Sequence, residues 1–321
     1  MGLLKKVVAE HYRTVKQVTS RRRFLKHTAI LAAAIVTPTV FASPKSEPLR
    51  AKRNLVGSGI YGWGQYYHQL MGRNAYAHLD EVFSAIRDCG YDYAEGFVDL
   101  KAPEKNGELI ELMRKKGLQP VCLYTNAPLH DDKSEELIAE LIAAAKVCRD
   151  GDVRIIDINL QPIGREKTDA ELKKQVESLN KLGVEFQKLG VRFGIHNHTP
   201  EMLSGHREFY ADLRQTDPKR VGFCYDVDWV SRGGISTLDC LNEFGLRVTN
   251  WHLRQSRNGV WFEILDSGDV DYRAVAQFAR AHHLTAPYTV ELAIEKGTKI
   301  TGDVVKNHKR SRDYVRKIFG C

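Results

Sequence analysis

Residues 191–198 read VRFGIHNH, a short apolar run that ends in histidine and asparagine. Seven other short apolar runs recur along the chain and alternate with longer amphipathic stretches. The eight predicted strands are Leu55–Ile60, Tyr93–Val98, Pro120–Tyr124, Arg154–Leu160, Arg192–His196, Val221–Tyr225, Val248–Leu253 and Pro287–Leu292. Strands that alternate with helix-length segments are typical of an α/β protein with a parallel sheet.

Amphipathic helices are predicted between the strands, and Ser134–Cys148 and Ala170–Leu189 show the apolar stripe most clearly. Gly90, Gly117 and Gly190 each follow such a run, where a left-handed helix terminus is expected. Eight βα units within about 265 residues indicate a single (β/α)8 TIM barrel. An open doubly wound sheet is the main alternative, but no Gly-x-Gly-x-x-Gly motif follows the first strand.

The first 43 residues are predicted to be a targeting segment. The basic stretch Ser20-Arg-Arg-Arg-Phe-Leu-Lys26 precedes the apolar run Thr28–Phe41 and resembles a twin-arginine export signal. Cleavage is expected near Ala42, with an uncleaved membrane anchor as the alternative. Residues 44–53 then form a linker to a barrel domain over residues 54–321. We expect a periplasmic or otherwise exported protein that meets the twin-arginine export machinery and keeps no membrane span after cleavage.

The charge distribution argues against a nucleic-acid partner. The formal net charge is +8, but the positive excess lies in the first 53 residues, so the remaining domain is close to balanced. No basic stripe with interleaved aromatic residues follows.

The six cysteines do not form a recognisable metal or redox motif, because no two stand in a Cys-x-x-Cys spacing. Most lie in apolar surroundings and are predicted to be small buried hydrophobic residues. Disulfides after export stay open as an alternative.

Histidines and carboxylates are concentrated at the predicted carboxyl ends of the strands, where TIM barrels carry their active sites. These residues are Glu95, Asp157, Asn159, His196, Asn197, His198, Asp226, Asp228, His252 and Glu291. Buried ions cost several kcal/mol each unless they are compensated, and a divalent cation compensates several at once. An oxygen-rich set with one or two imidazoles suits Mn²⁺, Mg²⁺, Co²⁺ or Zn²⁺ and leaves the identity open. Asp157 is alternatively a structural acid inside the barrel, and Asp228 a salt-bridged loop residue.

Five short motifs resemble those of the xylose isomerase-like barrels, which include sugar isomerases, epimerases and inosose dehydratases. They are Gly194-Ile-His-Asn-His198, Cys224-Tyr-Asp226, Asn250-Trp-His252, Thr289-Val-Glu291 and Gly268-Asp-Val-Asp271. The resemblance covers about residues 54–318 and implies that His196, Asp226, His252 and Glu291 hold the metal. The epimerases of this family carry a glutamate where His196 stands, and the dehydratases and lyases resemble the His-Asn-His arrangement better.

The resemblance also implies the chemistry. A metal polarises a carbonyl and hydroxyl pair while a base removes the proton from the adjacent carbon, and the resulting enediolate is isomerised, epimerised or loses a leaving group. We expect Glu291 to be a ligand near the reacting carbon, with His198, Glu95 or Glu201 as proton-transfer groups.

Four further residues are predicted to contact a carbohydrate substrate. The guanidinium groups of Arg254 and Arg257 suit sugar oxygens or a carboxylate. Trp63 follows the first strand, and Trp229 stands where the resemblance implies a substrate contact, with core packing as the alternative for the latter.

Two other functions stay open, a non-catalytic exported sugar-binding barrel and a metal-dependent hydrolase similar to the endonuclease IV barrels. The oligomeric state is open too.

Overall fold

A computed structural model describes residues 54–321, and the predicted export signal and linker lie outside these residues. The domain has eight parallel strands, which are β1 Val56–Gly59, β2 Tyr93–Phe97, β3 Cys122–Asn126, β4 Ile155–Asn159, β5 Arg192–His196, β6 Val221–Asp226, β7 Val248–Leu253 and β10 Tyr288–Val290. They close into a barrel in the order β1-β10-β7-β6-β5-β4-β3-β2. A short hairpin of β8 Ser256–Arg257 and β9 Val260–Trp261 lies between β7 and β10 in the chain. The (β/α)8 barrel predicted from the sequence is confirmed.

Only the third predicted strand is displaced appreciably. It was expected at Pro120–Tyr124 but runs over Cys122–Asn126. Proline has no backbone N–H for the ladder, and the pairing instead reaches the far end of β4, where Thr125 and Asn126 oppose Ile158 and Asn159. The shift brings Thr125 and Asn126 into the strand.

Helices follow the strands and cover the outside of the barrel. They span Ile60–Met71, Leu79–Asp88, Glu104–Lys115, Ser134–Asp150, Asp169–Leu189, Leu203–Arg214, Val227–Arg232, Thr237–Phe244, Tyr272–Ala281 and Val304–Phe319, with 3₁₀ turns at Ala75–His78, Pro200–Met202 and Gly245–Arg247. Gly90, Gly117 and Gly190 have φ values of 82°, 76° and 69°, as predicted for left-handed helix ends. Thr168 and Glu171 form a capping box that fixes the start of Asp169–Leu189.

The lower part of the barrel interior is closed by packed side chains. The ring of Tyr93 lies above Gly57 and its hydroxyl is 2.8 Å from Oγ1 of Thr289. A Cβ atom at Gly194 would lie 2.4 Å from Oγ1 of Thr249, so this close approach needs glycine. These contacts fill the barrel interior around Gly57 and Gly194 with side chains.

All six cysteines lie within residues 54–321, five of them are buried, and none is in a disulfide. Within the same range, no helix combines the length and the apolar character that crossing a membrane requires.

Candidate metal centre and active site

The four residues predicted to hold a metal stand side by side at the carboxyl end of the barrel. His196 ends β5 and Asp226 ends β6. Asp226 is in register with His252 on the neighbouring strand β7. Glu291 follows β10, and its backbone N–H donates to the carbonyl of Leu253 at 2.9 Å. Parallel pairing therefore brings together residues that are far apart in the sequence.

The side chains of these residues converge. Asp226, His252 and Glu291 each offer one ligand atom, and the three atoms lie within 4.8 Å of one another. Nε2 of His196 lies 3.4 Å from Oδ2 of Asp226. Both ring nitrogens of His196 and Nδ1 of His252 are buried without a hydrogen-bond partner. Buried polar atoms are rarely left without a partner, so these nitrogens point to a ligand, and the donor set fits a divalent cation.

Arg254 bridges two members of this cluster. One guanidinium nitrogen lies 2.6 Å from Oδ2 of Asp226 and also contacts Oε2 of Glu291. The Arg254 side chain is only 3% exposed and lies over the rings of Trp229 and Trp261. Burial alone would raise the pKa of Asp226, but Arg254 and the nearby histidines outweigh it and hold that pKa well below its usual range. The cluster thus favours the ionised form of Asp226, which is the form that binds a cation.

Glu95 lies on the other side of the His252 ring. Its Oε2 atom is 2.9 Å from Nε2 of His252, and its Oε1 atom accepts a hydrogen bond from Nδ2 of Asn250 at 2.9 Å. Burial opposes charge on both partners, yet their attraction lowers the pKa of Glu95 and raises that of His252 to about 10. The contact fixes the ring so that Nδ1 faces Glu291, the orienting role that carboxylates commonly have beside metal-binding histidines.

Asp157 lies below this pair and completes a second group of potential ligand atoms with Glu95 and His252. Its Oδ2 atom accepts a hydrogen bond from Nδ2 of Asn250 at 2.6 Å. Burial and the charge of Glu95 raise the pKa of Asp157 to about 8. The group formed by Asp226, His252 and Glu291 is favoured by its position, because His196 lies beside Asp226 and can add a fourth donor atom.

His198 and Glu201 form the opposite wall of the site with Asn159. Nδ2 of Asn159 lies 2.7 Å from Nδ1 of His198 and 3.4 Å from Oε1 of Glu201. The backbone N–H of His198 donates to Oε2 of Glu201 at 3.1 Å. Burial, together with His196, lowers the pKa of His198 to about 3, whereas burial raises that of Glu201 to about 7. Glu201, like Asp157, is thus a carboxyl group whose pKa is raised to near neutral pH.

Sequence reasoning missed two tyrosines beside the cluster. The ring centroid of Tyr124 lies 5.3 Å from that of His196 and 6.1 Å from that of His252. Tyr61 is 43% exposed, and burial and the charge of Glu291 raise its pKa. Tyr124 was predicted only as the end of a strand, and Tyr61 directly follows one, so their positions next to strand ends were the available signal.

Trp229 and Asp228 lie beside Arg254, in the helix that follows β6. The ring centroid of Trp229 is 5.6 Å from that of His198, and its Nε1 atom is buried without a hydrogen-bond partner. Asp228 is paired with Arg232 at 2.7 Å and accepts a hydrogen bond from Nε1 of Trp261 at 2.8 Å. Trp229 therefore has a free donor at the site, whereas Asp228 holds the loops together.

The structure does not bring Trp63 and Arg257 to the cluster. Trp63 is 2% exposed, donates from Nε1 to Oγ of Ser58 at 3.0 Å and stacks on His308 at 4.2 Å between ring centroids. Arg257 lies in the β8–β9 hairpin and pairs with Asp266 at 2.6 Å. Both residues have partners that explain them without a substrate.

The sequence matches one protein family and, over a shorter stretch, one curated enzyme. Residues 83–318 match the family described as xylose isomerase-like TIM barrel. The inosose dehydratase of Geobacillus kaustophilus (strain HTA426) is 26% identical over 106 residues, which cover 33% of this chain and 34% of that protein. The chain thus aligns with about one third of the length of this curated relative.

Solved structures share the fold at low sequence identity. A sugar phosphate isomerase/epimerase from Parabacteroides distasonis ATCC 8503 superposes with a TM-score of 0.64 at 18% identity, over 85% of this chain and 98% of that one. The IOLI protein with a bound zinc atom superposes with a TM-score of 0.63 at 16% identity, over 83% of this chain and 98% of that one. These structures share the fold, and the match over residues 83–318 identifies the family: the chain belongs to the xylose isomerase-like TIM barrels.

Proposed function

We propose that this protein is a divalent-metal-dependent enzyme that acts on a keto-sugar, an inosose or a related polyol. The observation that carries the proposal is the convergence of Asp226, His252 and Glu291 beside the unpartnered nitrogens of His196. The reaction class is an isomerisation or epimerisation, or the elimination catalysed by lyases and dehydratases. The inosose dehydratase and the sugar phosphate isomerase/epimerase described above support this range.

The proposed metal ligands are His196, Asp226, His252 and Glu291, and Mn²⁺, Mg²⁺, Co²⁺ and Zn²⁺ all suit such a donor set. The IOLI protein, which has a similar fold and a bound zinc atom, supports a metal cofactor for this protein. A bound cation would supply Lewis acidity toward a carbonyl oxygen and a neighbouring hydroxyl oxygen of the substrate.

The protein side chains would handle the proton. Glu201 has a pKa of about 7, because it is buried, and its ionised form would accept the proton from the carbon next to the substrate carbonyl. Arg254 and the free Nε1–H of Trp229 would bind substrate oxygens, and Glu95 would keep His252 oriented. Return of the proton to the neighbouring carbon isomerises the sugar, and return to the other face epimerises it. If a leaving group instead departs from the next carbon, the reaction is an elimination.

Metal content and turnover test this function together. We would measure bound metal in the purified protein and in the His196→Ala and Glu291→Ala variants, and offer each a panel of keto-sugars, inososes and 3-keto-glycosides. We expect stoichiometric metal in the unaltered protein and loss of both metal and turnover in the variants. His206→Ala is the matched control, because Nε2 of His206 contacts the carbonyl of Gly233 away from the cluster at 2.7 Å. Metal-free protein that still binds sugars would contradict the proposal and favour a sugar-binding barrel.

We also propose that the protein is exported in folded form by the twin-arginine route. The proposal depends on Ser20–Lys26 and the apolar run Thr28–Phe41 in the sequence. Replacing Arg21 and Arg22 with lysine is expected to leave the protein in the cytoplasm of fractionated cells. Unchanged export of that variant would exclude this route.

A further inference from the structure

A large cavity lies beside the metal centre, at the carboxyl ends of β1, β2 and β3. Its volume is about 710 Å³, and its wall includes Ile60, Phe97 and Thr125 from the strand ends and the residues that follow them. Pockets that enclose ligands of drug size measure about 300–1,000 Å³. The cavity is therefore large enough to hold a substituent attached to the sugar, in addition to the sugar ring bound at the metal centre.

Aromatic rings connect this cavity with the catalytic cluster. The ring centroid of Phe97, in the cavity wall, lies 5.7 Å from that of Tyr76 and 5.8 Å from that of Tyr124. Tyr124 in turn contacts the imidazole of His196, with 5.3 Å between centroids. Gly59 directly precedes the wall residue Ile60, and a Cβ atom at Gly59 would lie 3.6 Å from Cγ of Glu291 and 3.7 Å from Oε2 of Glu95. The cavity and the cluster therefore adjoin each other at the same end of the barrel.

One part of the cavity wall is apolar. Leu100, Leu109 and Leu137 all line it and are partly buried against the hydrophobic core. Pro128 and Leu79 add further apolar surface. Such a wall favours an apolar or aromatic group, because burying apolar surface stabilises a complex by roughly 25 cal/mol per Å².

The charged residues of the wall disfavour a phosphate. Four carboxylate residues line the cavity against two lysines. One of the lysines, Lys101, is already paired with Glu140. The carboxylate of Asp99 accepts hydrogen bonds from the backbone N–H groups of Lys101 and Ala102 at 3.0 and 2.8 Å and is held in a local turn. The net negative charge of the cavity wall therefore repels an anion such as a phosphate.

We propose that this cavity receives an aromatic aglycone, so that the preferred substrates of the site are keto-sugars that carry an aryl substituent in glycosidic linkage. This inference rests on the proposed function of the metal centre and specifies its substrate class. The sugar lies at the metal ligands, and the aryl group lies against Phe97 and the leucines.

The first experiment compares two substrates that differ only in the aglycone, 4-nitrophenyl 3-keto-β-D-glucoside and methyl 3-keto-β-D-glucoside. We expect KM for the aryl substrate to be at least about tenfold lower, because the aryl ring buries more apolar surface. The Leu137→Trp and Leu100→Trp variants fill the cavity and are expected to raise KM for the aryl substrate until its advantage over the methyl substrate disappears. Leu246→Trp is the control, because Leu246 is 78% exposed and precedes β7 at the opposite end of the barrel.

A binding measurement separates failure of this inference from failure of the proposed function. Calorimetry with the unreactive 4-nitrophenyl β-D-glucoside and methyl β-D-glucoside needs no turnover. If no substrate of the panel reacts but the aryl glucoside binds tighter and loses that preference in Leu137→Trp, the cavity assignment holds and the catalytic proposal fails. If the unaltered protein treats aryl and methyl compounds alike, or if both filling variants weaken both compounds equally, the cavity assignment is overturned.

Discussion

Oε2 of Glu95 lies 2.9 Å from Nε2 of His252, and both side chains are buried inside the barrel. The contact occupies one ring nitrogen of His252 and leaves Nδ1, which has no hydrogen-bond partner, 3.7 Å from Oε2 of Glu291. The sequence left open whether Glu95 transfers protons or orients a ligand. The geometry supports orientation, because Glu95 is held on the side of the imidazole away from Glu291.

Replacing Glu95 is therefore expected to weaken metal binding. In Glu95→Gln the charged partner of His252 is lost, and partners of this kind are typically worth 10–100-fold in metal affinity. We expect a loss of roughly 10–100-fold in a competitive metal titration, with the fold intact by circular dichroism. Asp157→Asn is the matched control, because Asp157 has a pKa of about 8 and is already largely protonated near neutral pH. Equal losses in the two variants would instead place the metal among Glu95, Asp157 and His252.

Arg254 gives a second prediction, since it neutralises Asp226 and Glu291 when no cation does. In Arg254→Met two buried carboxylates lose their partner, and breaking a buried ion pair typically costs about 3–5 kcal/mol. We expect a clear drop in Tm for the metal-free variant, and a larger rise in Tm on adding Zn²⁺ or Mn²⁺ than the unaltered protein shows.

Arg232→Met provides the control for this experiment. Arg232 is paired with Asp228 at 2.7 Å and with Glu295 at 2.8 Å, outside the proposed ligands. Its loss is expected to lower Tm without metal-dependent recovery. Recovery by metal in both variants, or in neither, would show that Arg254 does not share its carboxylates with a cation.

Local sequence patterns were sufficient for the barrel, because each of its strands and helix ends has its own signal. The glycines at 90, 117 and 190 end helices with positive φ, and β5 and β7 have the predicted bounds. The position of β3 was wrong by two residues because apolar composition does not register the missing N–H of Pro120.

The contacts between side chains inside the site could be predicted from the sequence only in part. His196, Asp226, His252 and Glu291 were predicted to converge because they end neighbouring parallel strands, and they do. Arg254 was expected to meet substrate, and nothing in its local sequence indicated that it contacts two of those residues on other strands. Such contacts depend on register and side-chain direction across the barrel, which no local pattern contains.

The two tryptophans predicted to bind substrate give the third prediction. Trp63→Phe removes a buried hydrogen bond to Ser58 and the stacking on His308. It is expected to lower the free energy of unfolding by roughly 1–3 kcal/mol and to leave KM unchanged. Trp229→Phe removes an Nε1–H that has no hydrogen-bond partner and keeps a smaller ring beside His198 and Arg254, so it is expected to raise KM with a smaller loss of stability than Trp63→Phe. Chemical denaturation and steady-state kinetics on both variants check this, and a raised KM in Trp63→Phe would restore its predicted substrate role.

Glu201 gives a prediction on pH dependence, because burial raises its pKa from 4.5 to about 7. As a base it must be ionised, so kcat/KM of the unaltered protein is expected to rise with pH and level off above about pH 7. In Glu201→Gln the activity is expected to fall by at least about 100-fold and to lose this rise. Glu201→Asp is expected to keep the shape of the profile at a lower level.

The pH dependence of the folding stability tests the raised pKa of Glu201 independently of catalysis. A carboxyl whose folded-state pKa is raised stabilises the fold fully below its unfolded pKa of 4.5, and this contribution is lost as the pH rises to about 7. The non-ionising Glu201→Gln is therefore expected to gain stability relative to the unaltered protein above neutral pH, by on the order of 3 kcal/mol, and to gain none near pH 4.5. Denaturation at both pH values measures the difference. A pH-independent difference would mean that Glu201 has the same pKa in the folded and the unfolded protein, and a proton-transfer role near neutral pH would then fall to His198 or another group.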